Sequence, residues 1–118
     1  MQDLNKRKKK FAIDCWHLCA NLPHTREYNN YVIQLLKSSS SVGANYRAAL
    51  RAKSTADFIN KLKIVEEEAD ESVYWLEILM EITDQQSEII NKLHKEAKEL
   101  LAITVASIKT KRQNEKNN

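Results

Sequence analysis

The chain has 118 residues, 42% of them hydrophobic and 30% charged, with a formal net charge of +3 at pH 7. One glycine and one proline are too few for turn-rich β sandwiches or glycine-dependent nucleotide folds, so composition favours a single all-helical domain. Charge is unevenly placed: residues 1–10 hold five basic residues against Asp3, residues 61–100 hold eleven acidic residues against five lysines, and residues 104–118 hold four basic residues against Glu115.

The first predicted helix runs from about Asn5 to Asn21, because Phe11, Cys15, Leu18 and Leu22 recur at intervals of four, three and four. Ile13 and Trp16 fall on its far side and give it a second, weaker apolar surface. Pro23 ends it. Thr25 is placed to cap the next helix, with Glu27 favourable in its first turn.

The second segment contains KSSSSVGANY, residues 37–46, whose serines and lone glycine resemble a linker. The apolar rhythm Tyr28, Tyr31, Val32, Leu35, Ser39, Val42, Tyr46, Ala49 and Leu50 nevertheless crosses it in phase. The spacing predicts one helix over about 26–51 with a small-residue waist at Ser38–Ala44. The competing reading is a kink or break there.

Ser54 and Asp57 have the spacing of a helix start. The stripe Phe58, Leu62, Val65, Ala69, Ser72/Val73, Leu76 and Leu79/Met80 predicts a third helix over 55–82. Thr83, Asp84 and Gln86 mark a turn. Ile89/Ile90, Leu93, Ala97, Leu100/Leu101, Thr104/Val105 and Ile108 predict a fourth, fraying near its basic end. Four apolar stripes joined by short loops predict an up-and-down antiparallel four-helix bundle. It is expected to form one domain over 1–118, with basic, partly disordered ends at about 1–8 and 110–118.

Chemistry is scarce in this pattern. A bundle di-iron site needs paired Glu-x-x-His motifs, and none of His17, His24 and His94 has glutamate three residues before it. Glu66, Glu67, Glu68, Asp70 and Glu71 are expected to form a solvated acidic face. Cys15 and Cys19 share a helix face without an oriented base, and are expected to be reduced and buried. No enzyme activity, cofactor or metal is expected. No apolar run approaches the roughly 20 residues of a membrane span, and a reducing cytoplasm is the expected location.

For binding, antiparallel order brings the start of helix 1 and the ends of helices 2 and 4 to one pole. Arg47, Arg51 and Lys53 would there meet Lys109, Lys111 and Arg112, with Lys6–Lys10 as a flexible addition. That pole is the candidate phosphate contact for RNA or DNA; solvated charge that only maintains solubility is the alternative. Tyr28, Tyr31, Tyr46, Tyr74 and Trp75 exceed one narrow stripe, and broaden the core or form a subunit or protein-binding interface.

The stretch SSSSVGANYRAALRAKSTADFINKLKIVEEEADESVYWLEIL carries a family resemblance. Its strongest marks are Ser41, Val42, Ala44 and Asn45, then Ser54 and Phe58, the segment from Lys63 to Glu71, and Glu77. Over about residues 11–82 the chain resembles the 23S rRNA intervening-sequence proteins. Where that family continues its asparagine motif with isoleucine, alanine, glutamate and glycine, this chain has Tyr46, Arg47, Ala48 and Ala49. The resemblance implies a small bacterial four-helix bundle that assembles as a homo-oligomer, with relatives that form pentameric rings. Similar bundles are basic accessory proteins of retroelements that associate with nucleic acid and a reverse transcriptase. It implies no catalytic residue, and Ser41, Asn45, Ser54 and Phe58 are expected in packing and capping, with Asn45 satisfying a partner across the waist.

Overall fold

A computed structural model of the protein describes residues 3–117. Four helices account for the fold: α1 Leu4–Ala20, α2 Arg26–Leu50, α3 Thr55–Ile82 and α4 Ser87–Lys116. Each start has a local cause. The Asp3 carboxylate accepts from the Asn5 and Lys6 amides, the Thr25 hydroxyl from Tyr28 N, and the Ser54 hydroxyl from Asp57 N, which satisfies donors that a helix leaves open at its first turn. α4 begins differently, at Gln86 in the left-handed region with φ 59° and no side-chain cap. Its turn is held by Thr83 Oγ1, which accepts from Gln85 N, and by the Ser87 hydroxyl, which donates to the Asp84 carbonyl.

Helix α1 packs on α2 and α4, and α3 packs on the same two. The result is an up-and-down four-helix bundle, 53 × 22 × 21 Å, in which apolar stripes meet along a shared axis. The larger part of the core joins Phe11, Cys15, Leu18, Leu35, Leu76, Leu79, Ile90, Leu93 and Leu100. Two smaller clusters continue it: Val42, Val65 and Ala69, then Ala49, Leu62 and Ile108.

The serine-rich stretch is unbroken helix. Ser38 and Ser39 are buried, and their hydroxyls donate back to the carbonyls of Leu35 and Leu36. The Ser72 hydroxyl on α3 donates to Ser38 Oγ at 2.9 Å. Small side chains thus let the helices approach while each buried hydroxyl keeps a partner. On the other side, α1 runs close over Gly43. A Cβ added there would lie 3.5 Å from Lys8 Cβ and 3.6 Å from the Lys8 carbonyl carbon, both ordinary contacts. Gly43→Ala is therefore expected to raise stability by about 0.5–1 kcal/mol through helix propensity. A lower urea midpoint in the variant would show that α1 does not tolerate the methyl group.

Residues 4–8 lie in α1 and residues 110–116 in α4; Met1, Gln2 and Asn118 lie outside the described residues. Several expectations change at the level of single residues. Leu50, placed in the core stripe, is 52% exposed, while Ala49 beside it is buried. In the same way Ile90 is buried and Ile89 exposed, because adjacent residues on a helix diverge by about 100°. The Asn45 amide does not cross the waist: it donates to the Ser41 carbonyl within its own helix.

Candidate nucleic-acid interface

The end of α2, the start of α3 and the end of α4 meet in the Ala49–Leu62–Ile108 cluster, with Tyr46, Phe58 and Ile59 packed around it. This joins the two expected cationic groups at one end of the bundle. Arg47, Arg51, Lys53, Lys109 and Arg112 are all exposed. Among the described residues none of these five has an acidic partner within ion-pair distance, whereas Arg7, Lys10 and Arg26 do.

Lys111 stands apart from its neighbours. It is half-buried, with Nζ over the Phe58 ring at 5.6 Å. Lys109 and Arg112 turn the other way. Together with Lys116 they line a groove of about 350 Å³ between α3 and α4, floored by Val105 and Ile108 and faced by Glu66. The C-terminal cationic run therefore splits into one lysine on an aromatic ring and three cations along a groove. Lys116 belongs to that groove by its spacing of i+4 from Arg112 and i+7 from Lys109.

The N-terminal cluster is not a flexible addition to this pole. The Arg7 guanidinium donates through Nε and Nη2 to both carboxylate oxygens of Glu96 at 2.7 Å, and Nη2 lies 3.2 Å from Glu99. Lys8 is only 1% exposed, and its Nζ sits 3.8 Å from the centroid of the Tyr46 ring. Lys10 pairs with Asp14 at 2.6 Å. Three of the five basic residues are thus engaged in the fold, leaving Lys6 and Lys9 exposed. Burial, with help from the Arg7 charge, pushes the Lys8 ammonium down to about 8 against an opposing pull from Glu96.

Ser54 is the α3 cap, and Phe58 supports Lys111 from the adjoining cluster. Ser41 accepts from Asn45 through its carbonyl, and its hydroxyl exerts a small downward pull on the Glu68 carboxyl. That carboxyl is held above the usual range, first by burial and then by the neighbouring Glu71 charge. Cys15 and Cys19 are buried free thiols, pushed up by burial to about 12 and about 11. A thiol so placed is a poor nucleophile. Among the described residues no group of three or more His, Cys, Asp and Glu is arranged to hold a metal ion. No helix among them is long and apolar enough to cross a membrane.

Exposed large apolar side chains occur on all four helices, and two aromatic ones, Trp16 and Tyr74, stand beside further apolar groups. Trp16, 59% exposed, borders an α1–α2 groove with Ala20, Pro23, Val32 and Leu36. On α3, Tyr74 is 55% exposed and makes an edge contact with Trp75, which in turn meets Tyr31 of α2.

The fold and this end of it define an all-helical up-and-down bundle with a cationic pole. The profile of the family described as 23S rRNA-intervening sequence protein matches residues 2–106, and the chain belongs to that family. A solved structure from Bacteroides thetaiotaomicron, described as a protein of unknown function from the S23 ribosomal protein family, is 33% identical. It superposes with a TM-score of 0.83 over 91% of this chain and 99% of that one. No curated protein matches the chain.

Proposed function

We propose that this protein is a non-catalytic, self-assembling helical bundle that holds RNA or DNA by its phosphates through the cationic pole. The observation that carries the reading is the contrast within its own basic residues. Arg7, Lys8 and Lys10 are engaged in the fold, whereas Arg47, Arg51, Lys53, Lys109 and Arg112 are exposed and have no acidic partner among the described residues. Long exposed cations are suited to phosphate backbones, and nothing at the pole supplies a base-specific pattern. The Tyr46 and Phe58 rings already carry Lys8 and Lys111, so stacking adds little and recognition rests on charge.

Self-assembly is supported by the two apolar surfaces. A two-fold dimer pairs one patch with itself, whereas different patches on different sides suit a head-to-tail contact that closes into a ring. A ring of five, as the family resemblance implies, would have five times the 13.7 kDa chain mass. The second reading, a protein-binding scaffold with no nucleic-acid role, is favoured by the same exposed Trp16 and Tyr74 surfaces.

Light scattering and fluorescence anisotropy with labelled oligonucleotides separate these readings. The expected result is a multimer that binds at low salt and releases as salt is raised. Replacing Arg47, Arg51, Lys53, Lys109, Lys111 and Arg112 by glutamine is expected to weaken binding by at least about tenfold. A monomer removes the assembly. Absence of binding at low salt, or an unchanged affinity in the six-site variant, removes the nucleic-acid role and leaves the scaffold.

A further inference from the structure

We infer that the groove between α3 and α4 is the phosphate track of this pole and that it takes a single strand in preference to a duplex. The inference rests on the nucleic-acid reading above, and it adds Lys116 and a ligand form to it.

The groove has one cationic wall. Lys109, Arg112 and Lys116 lie at i, i+3 and i+7 on α4, so they share a face and span about 10 Å along the axis at 1.5 Å per residue. That length suits a short run of phosphates on one backbone. Gln113 lies on the same rim, and its amide is a further donor.

The other wall differs in sign. Glu66 of α3 lines the groove. Lys63, one turn toward the pole, is exposed. A single strand lying along α4 keeps its phosphates on the cationic side. A duplex carries a second phosphate row, which would be pressed toward Glu66.

The floor has a separate use. Val105 is 45% exposed and sits over buried Ile108, giving a small apolar surface on which an unstacked base edge can rest. A paired base has no such freedom. Phosphate chemistry is shared by RNA and DNA, so the groove distinguishes strandedness rather than sugar.

Arg47, Arg51 and Lys53 are exposed at the α2 end, and none lines this groove. They act as a diffuse field that draws polyanions toward the pole.

The test compares Lys109→Gln/Arg112→Gln/Lys116→Gln with Arg47→Gln/Arg51→Gln/Lys53→Gln. Each is titrated with salt against one sequence as single-stranded RNA, single-stranded DNA and duplex DNA. The wild type is expected to bind both single strands more tightly than the duplex. The α4 triple variant is expected to lose at least about tenfold in single-strand affinity, and its log–log salt slope to become shallower by about 2, near 0.7 per phosphate contact. The α2 triple variant is expected to lose severalfold at most.

Glu66→Gln is expected to tighten single-strand binding by twofold or more and to narrow the margin over duplex. Tighter binding to duplex, equal losses in the two triple variants, or an unmoved Glu66→Gln overturns the groove while leaving the pole in place. A wild type that binds neither form removes the pole and the groove together. All substituted side chains except Glu66 are exposed, and a thermal melt of each variant verifies that the bundle is intact.

Discussion

Arg7→Ala is expected to destabilise the protein by about 2 kcal/mol, the range for a charge-assisted hydrogen-bonded pair that is partly removed from water. The guanidinium side chain is 15% exposed and that of Glu96 27%, so solvent screens this pair less than a surface pair. Two parallel 2.7 Å bonds fix the planar fork against one carboxylate, and they tie α1 to α4 beside the broad groove these helices leave at Lys10, Asp14, His17 and Lys92. Truncation leaves Glu96 and Glu99 facing each other without that charge. Arg7→Lys is expected to recover less than half of the loss, because an ammonium cannot reproduce the fork. Urea denaturation checks this, and a double-mutant cycle with Glu96→Ala isolates the pair. A change within about 0.5 kcal/mol would show that packing of Phe11 and Leu18 alone holds the helix.

The second large effect is a gain. Lys8→Met is expected to raise stability near pH 7 by about 1–2 kcal/mol. Moving an ammonium from 10.5 in the open chain to about 8 in the fold corresponds to a penalty on the order of 3 kcal/mol. The contact with the Tyr46 ring, 3.8 Å away, returns up to about 2 kcal/mol when desolvated. Because the folded value is the lower one, Lys8 holds fewer protons in the native state than in the unfolded state between about pH 8 and 10.5. The Lys8 contribution to stability should therefore become more favourable through that window, so the advantage of methionine should shrink over it, while the raised Cys15 and Cys19 thiols lower the total stability of both proteins above about pH 9. Chemical denaturation at stepped pH measures both. If the variant is less stable at pH 7, the cation on the ring outweighs its desolvation.

The sequence made the helices legible because the apolar spacing, Thr25, Pro23 and Ser54 all specify the same boundaries. Even the waist could be read, since Ser39 and Val42 keep phase with Leu35 and Ala49. The cationic pole followed from antiparallel order alone. What sequence could not supply was register between helices distant along the chain: nothing in it pairs Arg7 with Glu96, or sends Lys111 to Phe58 while Arg112 turns toward Glu66. Lys8 left a signal that a basic run obscured, because it lies three residues before Phe11 and seven before Cys15, on the buried face. A lysine there is uncommon, and the charge of its neighbours made it look solvated.

The two tryptophans give the molecule a built-in pair of optical reporters. Trp16 stands in solvent on the outer side of α1, while Trp75 has its indole N–H buried beside Tyr31 with no hydrogen-bond partner among the described residues. An aqueous quencher will reach the first ring and largely spare the second. Emission can thus follow α1 and the interior separately in one unlabelled sample, and a neighbour settling over Trp16 would shield it without altering the signal from within.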